Sequence, residues 1–191
     1  VKEALDIEPT LTPKVTKAFL VEDGVFDPLR LAYAFGASAQ AYGAHFLPFS
    51  EVINLVRTVG NKVGKVKVRN HTNNTIETID CDLIVNAAGA WVDNIVAGLG
   101  FPLKIIPTPG IMVAFEGRKT ERVINRLNEP DDGDILLPQR RMIVVGTTSY
   151  TANEIDYIPI KKDQIALMIQ RGEELIPSLS AAKVRGVFMA T

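Results

Sequence analysis

Three small residues, Ala87, Ala88 and Gly89, stand between an apolar run at 83–85 and a segment that begins near Trp91. The run predicts a strand buried on both faces, and the apolar positions after Gly89 have helical spacing. Because no side chain larger than a methyl group projects from this turn, a ligand can approach its backbone, and a helix start offers N–H groups to phosphates. A tight strand-to-helix turn without a ligand is the alternative interpretation.

A second group of residues suited to binding lies at the end of a predicted strand, where Thr147, Thr148 and Ser149 follow an apolar run. Their hydroxyls suit contacts with a substrate or cofactor, and equally suit local turn hydrogen bonds. Arg140 and Arg141 precede this run, where a phosphate site and an exposed hairpin turn are the two interpretations. The exposed turn is favoured, because both arginines fall at the predicted hairpin tip.

Composition excludes several classes of protein. The 191 residues are 47% hydrophobic with a formal net charge of −1, which gives no electrostatic case for binding nucleic acid or an anionic membrane surface. No apolar stretch is long enough to span a membrane, and the single cysteine, Cys81, fits a reducing compartment. The two histidines, His45 and His71, lack ligand spacing, so no metal site is predicted. A cytoplasmic location is expected.

The predicted elements mix helices and strands. One helix begins at Asp27-Pro28, where an acidic cap precedes proline at the first helical position, and it ends at Gly43. A second helix covers 162–176 and is stopped by Pro177. Alternating residues at 63–69 and 75–79 predict a hairpin. Further strands are predicted at 18–21, 45–49, 51–57, 123–127, 135–138, 142–148 and 183–191, and a solvated acidic turn at 129–134.

Three stretches resemble the FAD-dependent glycerol-3-phosphate dehydrogenases, especially their anaerobic A-subunit type, within the D-amino-acid-oxidase-like superfamily. They are Asp23-Gly24-x-x-Asp27-Pro28-x-Arg30-Leu31, the sequence Ile-Val-Asn-Ala-Ala-Gly-Ala-Trp at 84–91, and residues 134–148. The resemblance implies that Ala87, Ala88, Gly89 and Trp91 contact FAD. It also implies that the backbone near Val52 lies against the adenine, an ordinary buried valine being the alternative. The residues implied to line the substrate site are Ile135, Thr147, Thr148 and Ser149.

One part of the family pattern is missing. Aerobic relatives carry a Lys-Gly-Ser-His segment with a histidine near the reacting carbon, where this chain has Pro109-Gly110-Ile111-Met112. No catalytic base is therefore assigned, and Met112 is expected to belong to the core.

The resemblance also implies a fold and an activity. The fold would be α+β, with a mixed or antiparallel substrate-binding sheet and covering helices at 1–16 and 103–191. Residues 17–102 would form part of a Rossmann-like FAD-binding domain, with an inserted hairpin at 63–79. The activity would be oxidation of sn-glycerol 3-phosphate to dihydroxyacetone phosphate, with electrons passed to a quinone pool or partner electron-transfer subunits. An amino-acid or 2-hydroxy-acid flavin oxidase or dehydrogenase and a non-catalytic binding module are the alternatives.

The glycine-rich phosphate cradle of such enzymes does not occur in this sequence. No Gly-x-Gly-x-x-Gly is found, the chain begins at Val1, and it stops within a predicted strand. We interpret it as an interior piece of a longer protein that binds FAD and lies peripherally at the inner face of the cell membrane. The chain alone is expected to be folded but inactive, without FAD.

Overall fold

The computed structural model describes residues 1–101, 103–127, 129 and 132–190, and at Asn61 the backbone alone. The α-helices are α1 (Lys2–Ile7), α2 (Pro28–Ala41), α3 (Val92–Val96) and α4 (Lys162–Leu175). The strands are β1 (Ser50–Arg57), β2 (Val63–Asn70), β3 (Thr75–Asp80), β4 (Gly110–Glu116), β5 (Ile124–Asn125), β6 (Ile135–Gln139), β7 (Met142–Gly146) and β8 (Val184–Ala190). Short 3₁₀ turns cover Val59–Asn61, Gly89–Trp91, Ala97–Leu99 and Pro177–Ala181.

The chain divides into two compact units. The first comprises Val1–Leu31 with Thr108–Thr191, and the second comprises Ala32–Pro107. The first unit contains a sheet with the strand order β5-β6-β7-β4-β8, and the second contains one with the order β1-β2-β3. Every strand pair in both sheets is antiparallel within the described part of the chain. The predicted α+β class, with an antiparallel sheet and a covering helix, is confirmed.

The five-stranded sheet buries one face beneath α4. Ile111, Val113 and Phe115 of β4 are almost fully buried, because side chains two residues apart on a strand point to the same face. A glycine at 172 lets α4 approach β7, since a Cβ there would lie 2.8 Å from Val145 Cγ2. The rest of this core comes from β6, β7, α4 and the turn after α4: Leu136, Ile143, Val145, Met168, Ile176 and Leu179.

Helix α2 begins as the sequence predicts. Pro28 is its first residue, the Asp27 carboxylate accepts the Arg30 backbone N–H at 3.2 Å, and Gly43 beyond the last turn has a φ of 91°. Arg140, at the exposed tip of the β6–β7 hairpin, donates to the same carboxylate at 2.6 Å. The hydrogen bond from the Arg30 backbone, followed by that from the Arg140 side chain, lowers the pKa of Asp27.

The three-stranded sheet has a much smaller core. Among the residues described in the second unit, only Leu55 of β1 and Val68 of β2 are fully buried apolar side chains, at 7% and 8% exposure. All six residues of β3 are exposed. Strands β2 and β3 pair from Lys65 with Asp80 to Asn70 with Thr75, which confirms the predicted hairpin.

Three predicted strands, at 18–21, 45–49 and 83–85, do not form. Leu83 and Val85 are each 80% exposed, so the prediction of a strand buried on both faces is wrong. A strand needs a neighbour for its N–H and C=O groups, and no described strand pairs with these stretches. Their composition favours extended backbone locally, but that preference alone does not make a strand. The predicted acidic turn at 129–134 includes residues 130 and 131, which lie outside the described residues.

Candidate cofactor and substrate sites

The turn of small residues is held in shape by Asn86. Its side-chain Nδ2 donates to the Val92 carbonyl at 2.9 Å, and its Oδ1 accepts the Ala88 N–H at 3.3 Å. One side chain therefore ties together the two ends of the turn. Asn86 is not among the residues predicted for this site, although an asparagine that bonds the backbone two residues on is a recognisable turn signal.

Gly89 gives this turn an open backbone surface. Its φ of 55° lies in the left-handed region that favours glycine, and no atom lies within 4 Å of the position a Cβ would occupy. Ala87 is exposed and Ala88 half-buried, and the Trp91 N–H closes the turn by donating to the Ala88 carbonyl at 3.0 Å. The residues present therefore fit a cofactor that approaches the main chain closely. Helix α3 has only five residues, so backbone access, and not a helix dipole, favours binding here.

Val52 lies in β1 of the same unit and is 37% exposed. The helical turns after Trp91 pack against β1, where Arg57 Nη2 donates to the Leu99 carbonyl at 2.7 Å. These contacts connect the strand that carries Val52 with the segment that carries the turn. The contact of Val52 with an adenine stays a prediction.

The three hydroxyl residues continue the chain beyond β7 with alternating exposure. Thr148 is 1% exposed, and its Oγ1 accepts the Ile111 N–H at 2.9 Å, while its own N–H donates to the Ile111 carbonyl at 3.2 Å. Thr147 and Ser149 are exposed. Thr148 therefore fastens the end of β7 to β4. The Thr147 hydroxyl is partly buried and donates to the Thr148 carbonyl at 3.1 Å, so its oxygen can still accept a hydrogen bond from a ligand. Substrate contact by any of the three stays a prediction.

Hydrogen bonds donated by two backbone N–H groups connect the segment after β7 with the segment before β6. The Ser149 N–H donates to Asp132 Oδ1 at 2.8 Å, and the Gly133 N–H donates to the Thr147 carbonyl at 3.2 Å. Ile135 is half-buried and pairs with Gly146, the last residue of β7. The structure thus brings Ile135 and Thr147 to the same end of the β6–β7 ladder. Asp132 was missed because the acidic stretch was interpreted only as a solvated turn.

Met112 does not belong to the core, so that expectation is wrong. Its neighbours Ile111 and Val113 are members of the cluster beneath α4, whereas Met112 is half-buried and lies outside that cluster. Its Cγ and Cε both lie 2.8 Å from the position that a Cβ on Gly146 would occupy. Alternation along β4 places it on the sheet face opposite α4.

Two further features concern the described part of the chain as a whole. It contains no group of three or more His, Cys, Asp and Glu residues arranged to hold a metal ion. None of its helices combines the length and apolar character that a membrane crossing requires.

Residues 1–189 match the family model "DAO: FAD dependent oxidoreductase". The chain belongs to this family of FAD-dependent oxidoreductases.

Within that class, the chain is similar to the A-subunit of the anaerobic glycerol-3-phosphate dehydrogenase from Escherichia coli (strain K12). The two are 33% identical over 185 residues, which is 96% of this chain and 34% of the relative. The chain therefore spans about a third of the length of this curated relative.

Two solved structures share the fold. Glycine oxidase from Geobacillus kaustophilus has a TM-score of 0.80 at 21% identity, covering 99% of this chain and 48% of that one. The glycerol-3-phosphate dehydrogenase from Bacillus halodurans, solved as a complex with FAD, has a TM-score of 0.78 at 20% identity, covering 99% and 41%. At such identities the likeness concerns the fold alone.

Proposed function

We propose that this chain is part of an FAD-dependent dehydrogenase that oxidises sn-glycerol 3-phosphate to dihydroxyacetone phosphate. The observation that carries the proposal is the 33% identity with the A-subunit of an anaerobic glycerol-3-phosphate dehydrogenase, across 96% of the chain. Bound FAD supplies the hydride acceptor for such an oxidation. We further propose that the complete protein is cytoplasmic or peripheral at the inner face of the membrane, and passes electrons to a quinone pool or partner subunits.

The cofactor contacts in this proposal come from the second unit. Ala87, Ala88 and Gly89 would offer main chain with little side-chain bulk, and Trp91 and Val52 would provide apolar surface. The open space around the Gly89 Cα supports this assignment, because a bound ring system can come into van der Waals contact with the backbone there.

The substrate contacts come from the first unit. Thr147 and Ser149 would hydrogen-bond the hydroxyls of the substrate, Ile135 would limit its position, and Thr148 would act by holding β7 against β4. Holding the reacting carbon against the hydride acceptor is the main contribution such residues make to the rate. Thr147 and Ser149 are neutral and Arg140 is paired with Asp27, so the positive charge that binds the phosphate would come from other residues.

The proposal is tested on the full-length protein that contains this chain. Under anaerobic conditions, glycerol 3-phosphate should bleach the flavin absorbance, and a soluble quinone analogue should restore it. Glycine, proline and lactate at equal concentration should leave the flavin oxidised. Bleaching by an amino acid or a 2-hydroxy acid, with none by glycerol 3-phosphate, would overturn the substrate assignment.

Variants then separate the roles of the three hydroxyls. Thr147→Val and Ser149→Ala should raise the KM for glycerol 3-phosphate by roughly tenfold each, as expected for one lost hydrogen bond to a substrate. Thr148→Val is the matched control, because Thr148 is 1% exposed and its hydroxyl accepts the Ile111 N–H, and it should lower the melting temperature with a smaller effect on KM. Equal KM effects from all three would contradict the assignment.

A further inference from the structure

A row of four residues crosses the sheet face opposite α4. Ile135 of β6 pairs with Gly146 of β7, and Met112 of β4 pairs with Phe188 of β8. The antiparallel register of β4 and β7 ends at Val113 with Val145, so the next residues along the two strands are Met112 and Gly146, which joins the two pairs into one line. The row therefore runs from a residue assigned to the substrate site, through Gly146 and Met112, to an exposed phenylalanine.

Met112 fills the space that the glycine in this row leaves open. Its Cγ and Cε lie 2.8 Å from where a Cβ on Gly146 would stand, so the side chain covers the backbone of that glycine. A longer residue at 146 would exclude this position of the methionine, and a shorter residue at 112 would leave the backbone of Gly146 uncovered.

Met112 covers Gly146, the residue directly before Thr147, and Thr147 is itself bonded to the backbone next to Met112. Thr147 Oγ1 donates to the carbonyl of Ile111, the residue before Met112, at 3.4 Å. Met112 is half-buried, and Phe188 beside it is 51% exposed, so this part of the row is open to a ligand. An unbranched thioether adapts its shape readily, which suits it to bounding a small site.

We infer that Met112 is a specificity-determining residue: its side chain bounds the space beside Thr147 and limits the length of the carbon skeleton that the site accepts. This inference rests on the proposed function, because it assumes that the substrate lies at Thr147 and Ile135. Met112 has no group that exchanges protons in the neutral pH range, so its effect is on the fit of the substrate alone.

The test compares two substrates on the full-length enzyme, glycerol 3-phosphate and the four-carbon erythritol 4-phosphate. Met112→Ala should raise the ratio of kcat/KM for the longer substrate to that for the shorter one by about tenfold or more, since each methylene in an apolar site contributes about 10- to 200-fold. Met112→Leu, which conserves volume, should leave the ratio within about twofold. Met112→Val provides an intermediate truncation if the alanine variant does not fold.

Met142→Ala is the matched control. Met142 is half-buried on the same face of the sheet but four residues from Gly146 along β7, a distance of about 13 Å. It should lower stability without changing the substrate ratio. If wild type does not oxidise glycerol 3-phosphate, the proposed function fails. If wild type does, but the folded Met112 variants keep the wild-type ratio or Met142→Ala shifts it equally, the inference about Met112 fails.

Discussion

Replacing Gly89 with alanine tests whether its open backbone is a cofactor contact. In this chain no atom lies within 4 Å of the added methyl group, so the substitution meets no steric obstacle. Its φ of 55° still requires the left-handed region, which costs an alanine about 1–2 kcal/mol. The free energy of unfolding of the cofactor-free protein should therefore fall by about that amount.

The effect on FAD binding should be larger than backbone strain explains. If the cofactor contacts the main chain at Gly89, the added methyl group overpacks that contact, which costs about 1–3 kcal/mol. Since about 1.4 kcal/mol is a tenfold change in affinity, the Kd for FAD should rise about 5- to 150-fold. Gly89→Val adds two further methyl groups and should weaken FAD binding more, and flavin absorbance per polypeptide in the purified full-length protein measures both effects.

Gly100→Ala controls for the backbone strain. Gly100 has a φ of 78°, lies in the same unit, and also has no atom within 4 Å of a Cβ position. It should reduce thermal stability as much as Gly89→Ala does and leave the Kd for FAD unchanged. Gly89→Asn adds a second control, since asparagine tolerates the left-handed region but keeps the bulk. Equal FAD affinity in the Gly89→Ala and Gly100→Ala proteins would refute the assignment of this turn.

Three other predictions concern stability. Because the pKa of Asp27 is lower in the folded protein, its carboxylate contributes its full stabilisation above the ordinary pKa of 3.8 and loses it as the pH falls through the folded-state pKa. Asp27→Asn should therefore be less stable than wild type at pH 7 in urea titrations. A pH profile of stability identical to that of wild type would contradict this. Leu179→Ala should cost about 2–5 kcal/mol in the same assay, because it empties a fully buried site, whereas the exposed Leu127→Ala should cost under about 1 kcal/mol; equal losses would contradict the packing argument. In hydrogen exchange on the isolated chain, amides of β4, β7 and α4 should be protected longer than those of β1–β3, because the second unit buries few apolar side chains, and uniform protection would show otherwise.

Local signals in the sequence predict the elements whose stabilising contacts are made by residues close together in the sequence. The Asp27-Pro28 cap, the hairpin of β2 and β3, and the helix stopped by Pro177 each depend on residues close together in sequence, and each forms near its predicted bounds. The strand expected at 83–85 depends on neighbours on both sides, and none of the described strands pairs with it. Its residues have the right composition, but their hydrogen bonds and burial cannot come from the segment itself.

The same difference between local and long-range contacts explains which features of the candidate sites could be predicted. The small residues before Trp91 indicate a turn with an open backbone, and Gly89 has the positive φ that only glycine adopts easily. The ion pair of Asp27 with Arg140 joins residues 113 positions apart, so no local sequence pattern predicts it. The assignment of Met112 failed because its neighbours are apolar, and only the register of β4 shows which face of the sheet it occupies.

The two hydrogen bonds of the Asn86 amide give the Gly89 turn its shape before any cofactor arrives. A loop that is ordered only on binding loses conformational entropy at that moment, about 1–2 kcal/mol for each residue that becomes fixed. A turn already fastened at both ends avoids that loss, so more of the contact energy is available as affinity. If FAD binds at this turn as proposed, preorganisation by a single amide would add to its affinity, although Asn86 itself need never touch the cofactor.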